Sequence, residues 1–117
     1  MTGPVARGLS NLQSNHMISI ADGARMIAAY RSRSPGAIRG WLFDRRAIDA
    51  LLAQPNCAGL RIYRAIKDDG TENVILVGTD ELGSDLGTAS TSGTGLVAEV
   101  AWPCPPVCGA TSALNPS

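Results

Sequence analysis

The chain is poor in several residue types on which common functions depend. Its 117 residues include one histidine, one phenylalanine, two tyrosines and two tryptophans, and no lysine or arginine follows Lys67. No apolar run approaches the roughly 20 residues that a membrane-spanning helix needs. The first residues also lack the apolar core of about 7–15 residues that marks a signal peptide. We therefore expect a protein without membrane segments, located in the cytoplasm.

The scarcity of histidine and of phosphate-binding motifs argues against the commonest catalytic arrangements. Nucleophilic catalysis by a thiolate needs a neighbouring base, and the single histidine, His16, lies in a polar N-terminal segment. The Gly-, Ser- and Thr-rich run 87–95 has no Walker lysine and does not open a helix, so it does not predict a phosphate cradle. Whether the protein is an enzyme stays open, and the sequence favours a non-enzymatic role.

Charge is balanced in total but is unevenly distributed. Up to Lys67 there are ten basic and three acidic residues, a net charge of +7, and from Asp68 onward there are seven acidic residues and no basic one, a net charge of −7. Such a split favours binding to an anion or to another copy of the chain, unless antiparallel pairing interleaves the two halves. Five arginines could form a basic patch, namely Arg31, Arg33, Arg39, Arg45 and Arg46. With zero net charge and Tyr63 as the one candidate exposed aromatic residue, nucleic-acid binding is not expected.

The stretch from Cys57 to Asp80 predicts a β-hairpin. Two β-rich runs flank the turn-forming pair Asp69-Gly70. The first run alternates, with Leu60, Ile62 and Ile66 on one face and Arg61, Tyr63 and Ala65 on the other. The second run, Val74-Ile75-Leu76-Val77, has no polar position, which is typical of a strand covered on both faces. We expect this second strand to be central in the sheet.

The remaining elements are two helices and two further strands. Ser19 and Asp44 stand at positions suited to cap helices over about 20–31 and 45–54, and the inner stripe of the first helix is expected at Ile20, Ala24 and Ile27. Strands are expected over 37–43 and 96–102. The order α-β-α-β-β-β predicts an α+β, two-layer domain with a four-stranded, mostly antiparallel sheet and both helices on one face. The expected boundaries are a flexible tail over 1–17, a single domain over 18–109 and a C-terminal tail over 110–117.

Three cysteines form the most informative polar set. Cys57 precedes the hairpin, and Cys104 and Cys108 follow the last predicted strand. Three thiolates at one rim of the sheet, joined by His16 or water, would make a tetrahedral zinc site, although three residues separate Cys104 from Cys108 where zinc sites favour two. A Cys104–Cys108 disulfide is the second alternative, and a reducing cytoplasm opposes it. In the third alternative, Cys57 is a small buried residue, and Cys104 and Cys108 only cap the sheet.

Acidic residues after the hairpin are a further candidate site. Asp80, Glu81 and Asp85 lie close together in a segment with turn chemistry. Carboxylates at this spacing would suit a hard cation, but no EF-hand pattern is present. Solvated turn residues are the more common outcome of such a pattern.

Two short motifs resemble a family of small, uncharacterised bacterial proteins. The first runs from Gln54-Pro55 through Cys57 and Gly59 to Arg61-Ile62-Tyr63, and the second is Pro103-Cys104-Pro105-Pro106 with Cys108. The resemblance extends over about 18–115. It implies that the whole domain is shared with the family, and it implies no activity, cofactor or ligand.

These observations favour a small, non-enzymatic binding or protein-interaction module that self-associates, as a homodimer or with an unknown protein partner. A second subunit would cover the outer face of the apolar second hairpin strand. The expected binding residues are Arg61 and Tyr63, near the three cysteines. The alternatives are a zinc-binding or thiol-dependent site at Cys57, Cys104 and Cys108, and an arginine-rich anion or nucleic-acid binder.

Overall fold

The structure is a computed structural model that describes residues 15–88, 93, 95–99 and 101–116. The described residues form two helices and five strands in the order α-β-α-β-β-β-β, which confirms an α+β protein. They divide into two compact units, one within residues 43–101 and the other within 15–42 and 102–116. Most of the predicted N-terminal tail, and much of the predicted flexible loop over 87–95, lie outside the described residues.

The first unit begins with a short helix that packs on a sheet. We number helices and strands along the whole chain, so this helix is α2, Arg45–Leu52. Its N-terminus is where the sequence predicts it, because a carboxylate oxygen of Asp44 accepts a hydrogen bond from the Arg46 amide at 2.9 Å. The helix ends two residues before the predicted limit, and Leu51 is its buried residue.

The predicted hairpin is confirmed. Strand β2, Gly59–Ile66, pairs antiparallel with β3, Glu72–Thr79. Its turn contains Gly70 at a φ of 87°, a conformation that glycine adopts without steric cost. A side-chain oxygen of Asp69 accepts a hydrogen bond from the Thr71 amide at 2.9 Å and so fixes the turn.

Strand β3 is the central strand of a three-stranded sheet with the order β2-β3-β4, as predicted. Strand β4 is the two-residue segment Val97–Ala98. The core of this unit is built from α2 and β3, since Leu51, Val74, Leu76 and Val77 are its buried apolar residues among those described.

The second unit contains the other helix and a separate sheet. Helix α1, Ile20–Arg33, starts at the predicted cap, where the Ser19 hydroxyl accepts a hydrogen bond from the Asp22 amide at 3.0 Å. Strand β1, Gly40–Leu42, pairs antiparallel with β5, Trp102–Cys104. Near the C-terminus Arg39 donates a hydrogen bond to the Asn115 side chain at 2.7 Å.

Two features of the predicted architecture are wrong. The strands form sheets of two and three strands instead of one four-stranded sheet, because the predicted last strand divides and its two parts pair with different partners: Ala98 lies opposite Leu76, and Trp102 lies opposite Leu42. The predicted inner stripe of α1 is also not a core, since none of its residues is buried and Ile20 is 69% exposed.

Neither of the two helices in the described part of the chain is long and apolar enough to cross a bilayer.

Candidate functional site

The two predicted binding residues meet at one carboxylate. The Arg61 guanidinium donates a hydrogen bond to Asp85 at 2.7 Å and another to the carbonyl of Gly83 at 2.8 Å. The Tyr63 hydroxyl donates a hydrogen bond to the second carboxylate oxygen of Asp85. We call Arg61, Tyr63 and Asp85 the carboxylate cluster.

The strand register explains why these side chains converge. Arg61 and Tyr63 are two residues apart in β2, so they share one face of the sheet. Thr79 of β3 pairs with Gly59 along one edge and with Asp85 along the other, which places Asp85 on that same face. The cluster therefore spans β3 from edge to edge, above Val77, which lies opposite Arg61 and is only 2% exposed.

The loop that delivers Asp85 is held by its own hydrogen bonds. Asp80 accepts hydrogen bonds from the amides of Leu82 and Ser84, each at 2.9 Å. Gly83 in this loop has a φ of 82°. Asp80 therefore acts as a turn residue and Asp85 as the acceptor of the cluster, so two of the three candidate cation ligands have structural partners.

The cluster changes the proton affinity of its members. The hydrogen bond to Asp85 raises the pKa of Tyr63, because loss of the hydroxyl proton would place a phenolate beside a carboxylate. The hydrogen bond to the same carboxylate raises the pKa of the Arg61 guanidinium. The cluster is thus a neutral phenol and a cation, both bound to one anion.

The cysteines do not form the proposed three-thiolate site. Cys104 and Cys108 are joined in a disulfide within the second unit, so neither is a thiolate able to bind zinc. Cys57 is the free cysteine and belongs to the first unit. The residues that the structure describes contain no group of three His, Cys, Asp or Glu side chains placed to hold a metal ion.

Cys57 lines a groove of about 550 Å³ in the first unit. Its thiol donates to the carbonyl of Gly59 at 3.4 Å and lies against Gly78 of β3. The other lining residues are Asn56, Ala58, Asp80, Glu81, Leu82 and Leu86. The thiol thus lies against the backbone at Gly59 and Gly78, in a groove that Asp80 and Glu81 also line.

The outer edge of β2 is the feature that side-chain patterns did not reveal. Strand β2 is the last strand in the order β2-β3-β4, so one of its edges has no strand partner among the described residues. Just beyond the paired strands, the Lys67 amide donates to the Thr71 carbonyl at 2.9 Å, which shows that odd-numbered residues of β2 bond to β3. The backbone groups of the even-numbered residues therefore point outward, namely those of Leu60, Ile62, Arg64 and Ile66.

The side chains along this outer edge are exposed as well. Ile62 is 65% exposed and Ile66 is 73% exposed. The strand is eight residues long and contains no proline. Its only charged residues are Arg61 and Arg64. Long, unpaired edge strands are sites where another strand can add.

The arginines of the predicted basic patch are mostly engaged within the chain. Arg45 pairs with Asp49 at 3.3 Å and Arg46 with Asp44 at 3.0 Å, while Arg39 bonds to Asn115. These five arginines are also divided between the two units. The carboxylates of Asp49 and Asp44 offset the charges of Arg45 and Arg46, whereas the bond to the Asn115 amide leaves Arg39 with its full charge.

Comparison of the chain with protein-family models, with curated proteins and with solved structures gave no match. The resemblance to a bacterial family based on the two motifs therefore stays a prediction.

Proposed function

We propose that the protein is a small, non-enzymatic interaction module that self-associates, and that its contact surface is the free edge of β2. The observation that supports this function is the unpaired eight-residue strand Gly59–Ile66, with Ile62 and Ile66 exposed beside outward-facing backbone groups. Strand addition at such an edge satisfies the backbone groups and covers the isoleucines in one step.

The carboxylate cluster supports this role without being the contact surface itself. Arg61 and Tyr63 reach across β3 to Asp85, so their polar groups bond within the unit and their side chains lie on the face opposite to Ile62. The cluster fixes the conformation of β2 in advance. A strand that is already ordered loses less conformational entropy when it binds a partner.

The test is the mass of the protein in solution at increasing concentration. Sedimentation velocity from low micromolar to several hundred micromolar protein is expected to show a species of twice the 12.1 kDa of one chain. A monomer over the whole range would contradict the proposed self-association.

Two variants in β2 and one control variant in α1 locate the contact surface. Ile62→Lys places a charge at the edge and is expected to weaken the dimer at least tenfold, whereas Ile20→Lys alters an isoleucine of similar exposure in α1 and should leave it unchanged. Arg64→Pro removes an outward-facing amide and keeps the bonds to β3, so it should also weaken the dimer. Equal effects of Ile62→Lys and Ile20→Lys would exclude the β2 edge.

A further inference from the structure

We infer that the second unit binds a single-chain amphiphile with an anionic head group. Its apolar chain lies along α1, and its head is held by Arg31 and Arg39. This site is separate from the β2 edge, which belongs to the first unit. The inference therefore goes beyond the proposed self-association and does not depend on it.

The place for the apolar chain is a groove of about 570 Å³ along one face of α1. Its helix side is formed mainly by Ala21, Ala24, Ile27 and Ala28, and its other side by the C-terminal segment around Leu114. Three of these four helix residues are alanines, whose short side chains leave room above the helix. Cavities of roughly 300–1,000 Å³ with mostly apolar walls are typical of sites for small molecules.

The C-terminal segment is held in place as the second wall of this groove. The Asn115 side chain accepts a hydrogen bond from Arg39 at 2.7 Å and donates one to the Cys104 sulfur at 3.5 Å. The neighbouring Leu114 lies close to α1, since a Cβ built on Gly23 would be 3.5 Å from its Cδ2 atom. The wall is thus formed before a ligand arrives, which reduces the conformational entropy that binding costs.

The place for the head group is a smaller cleft of about 270 Å³ at the C-terminal end of α1. Arg31 and Ser32 line both the groove and this cleft, so the two cavities share one turn of the helix. Arg39, Tyr30 and Ser34 also line the cleft and supply further hydrogen-bond donors. None of the described residues that line the two cavities is acidic. An apolar groove beside a basic cleft is complementary to a molecule with an apolar chain and an anionic head.

The charge of the second unit also favours an anion. Residues 14–42 and 102–117 contain four arginines and one acidic residue, Asp22, which gives a net charge of +3. A guanidinium has five N–H donors and binds phosphate or carboxylate oxygens in a two-pronged geometry. Because the C-terminal end of a helix carries a partial negative charge, Arg31 and Arg39 are what makes an anion favourable at this end of α1. Loss of an arginine from the cleft should therefore weaken binding strongly.

Isothermal titration calorimetry of the full chain tests the ligand class with four probes. Octyl phosphate, used below its critical micelle concentration, carries both chain and head. Inorganic phosphate supplies the head alone, 1-octanol the chain alone, and octylammonium the same chain with the opposite charge. Octyl phosphate is expected to bind at one site per chain, at least about tenfold more tightly than each of the other three probes. Equal affinity for octyl phosphate and any other probe would overturn the amphiphile, and no saturable binding of octyl phosphate in the low millimolar range would overturn the site.

Two matched pairs of variants locate the site on α1. Ala28→Leu fills the groove and should weaken the binding of octyl phosphate at least about fivefold, whereas Ala29→Leu alters an exposed alanine that lines neither cavity and should change it less than about twofold.

Arg31→Gln removes a charge from the cleft and should also weaken binding at least about fivefold, whereas Arg33→Gln removes the same charge from a residue outside both cavities. Ala28 and Ala29 are both exposed, so neither leucine disturbs a core. Circular dichroism checks that all four variants fold. Equal effects of the two members of either pair would overturn the proposed site.

Discussion

Arg61 donates a hydrogen bond to Asp85 across the full width of β3, with 2.7 Å between the guanidinium nitrogen and the carboxylate oxygen. The two residues are 24 positions apart in the chain, and Tyr63 binds the same carboxylate. This contact orders the loop of Asp80–Asp85 against the hairpin. The same contact holds β2 in the conformation that the proposed dimer uses.

Removing the Asp85 charge is expected to lower the pKa of Tyr63. In Asp85→Asn the phenolate would no longer form beside a carboxylate, so the raised pKa should fall toward its ordinary value of about 10. The measurement is the phenolate absorbance of each protein during an alkaline titration, with the Tyr63→Phe variant subtracted to isolate this one tyrosine. An unchanged Tyr63 pKa in Asp85→Asn would show that the hydrogen bond does not form in solution.

The same shift predicts how stability depends on pH. The pKa of Tyr63 is raised in the folded state, so its contribution to the free energy of unfolding is complete below about pH 10 and is lost as the pH rises through the folded-state value. The free energy of unfolding of the native protein, measured with urea, should therefore fall more steeply in this alkaline range than that of Tyr63→Phe. If the free energy of unfolding depends on pH in the same way in both proteins, ionisation of Tyr63 does not affect stability.

A side chain at Gly78 should fit only if the neighbouring side chains shift. A Cβ atom built on Gly78 would lie 2.9 Å from the Gln54 amide nitrogen and 3.0 Å from the Cys57 sulfur, which is closer than packed atoms normally approach. Gly78→Ala is therefore expected to lower the free energy of unfolding by about 1–3 kcal/mol. Gly40→Ala is the control, because a Cβ there meets nothing within 4 Å, and it should change stability by less than about 0.5 kcal/mol.

The residue pattern predicted the elements whose causes are local. Ser19 and Asp44 cap their helices as expected, and Asp69-Gly70 forms the hairpin turn, because each of these effects acts within a few residues. The side-by-side placement of Arg61 and Tyr63 likewise followed from strand alternation. These features need no knowledge of the distant chain.

Features that depend on long-range pairing were not predictable in the same way. The alternation over 96–102 continues without a break, so nothing local indicates that Ala98 joins Leu76 while Trp102 joins Leu42. The sequence indicates Asp85 as a turn residue or a candidate cation ligand and gives no sign of its bond to Arg61, because that bond depends on the fold of the loop. The Cys104–Cys108 disulfide is one of three alternatives that the sequence leaves open, and the sequence does not decide among them.

The cysteines are expected to behave as one thiol and one disulfide. Protein prepared without reductant should show one thiol per chain on denaturation, from Cys57, and three after reduction. Replacing both Cys104 and Cys108 with serine should lower stability by about 2 kcal/mol, the value expected for so short a closed loop. Three thiols before reduction, with zinc near one per chain, would instead support the metal alternative and match the predicted cytoplasmic location, where disulfides are rare.

Two neighbouring leucines give the sharpest test of the core. Leu51 and Leu52 are consecutive in α2, and the sequence marks both as apolar helix residues, yet Leu51 is 2% exposed and Leu52 is 49% exposed. Leu51→Ala should lower the free energy of unfolding by about 2–5 kcal/mol, because it leaves a cavity against β3. Leu52→Ala changes helix propensity equally and removes little buried area, so its cost should stay below about 1 kcal/mol. Urea unfolding followed by circular dichroism measures both, and equal losses would mean that α2 does not pack on the sheet through Leu51.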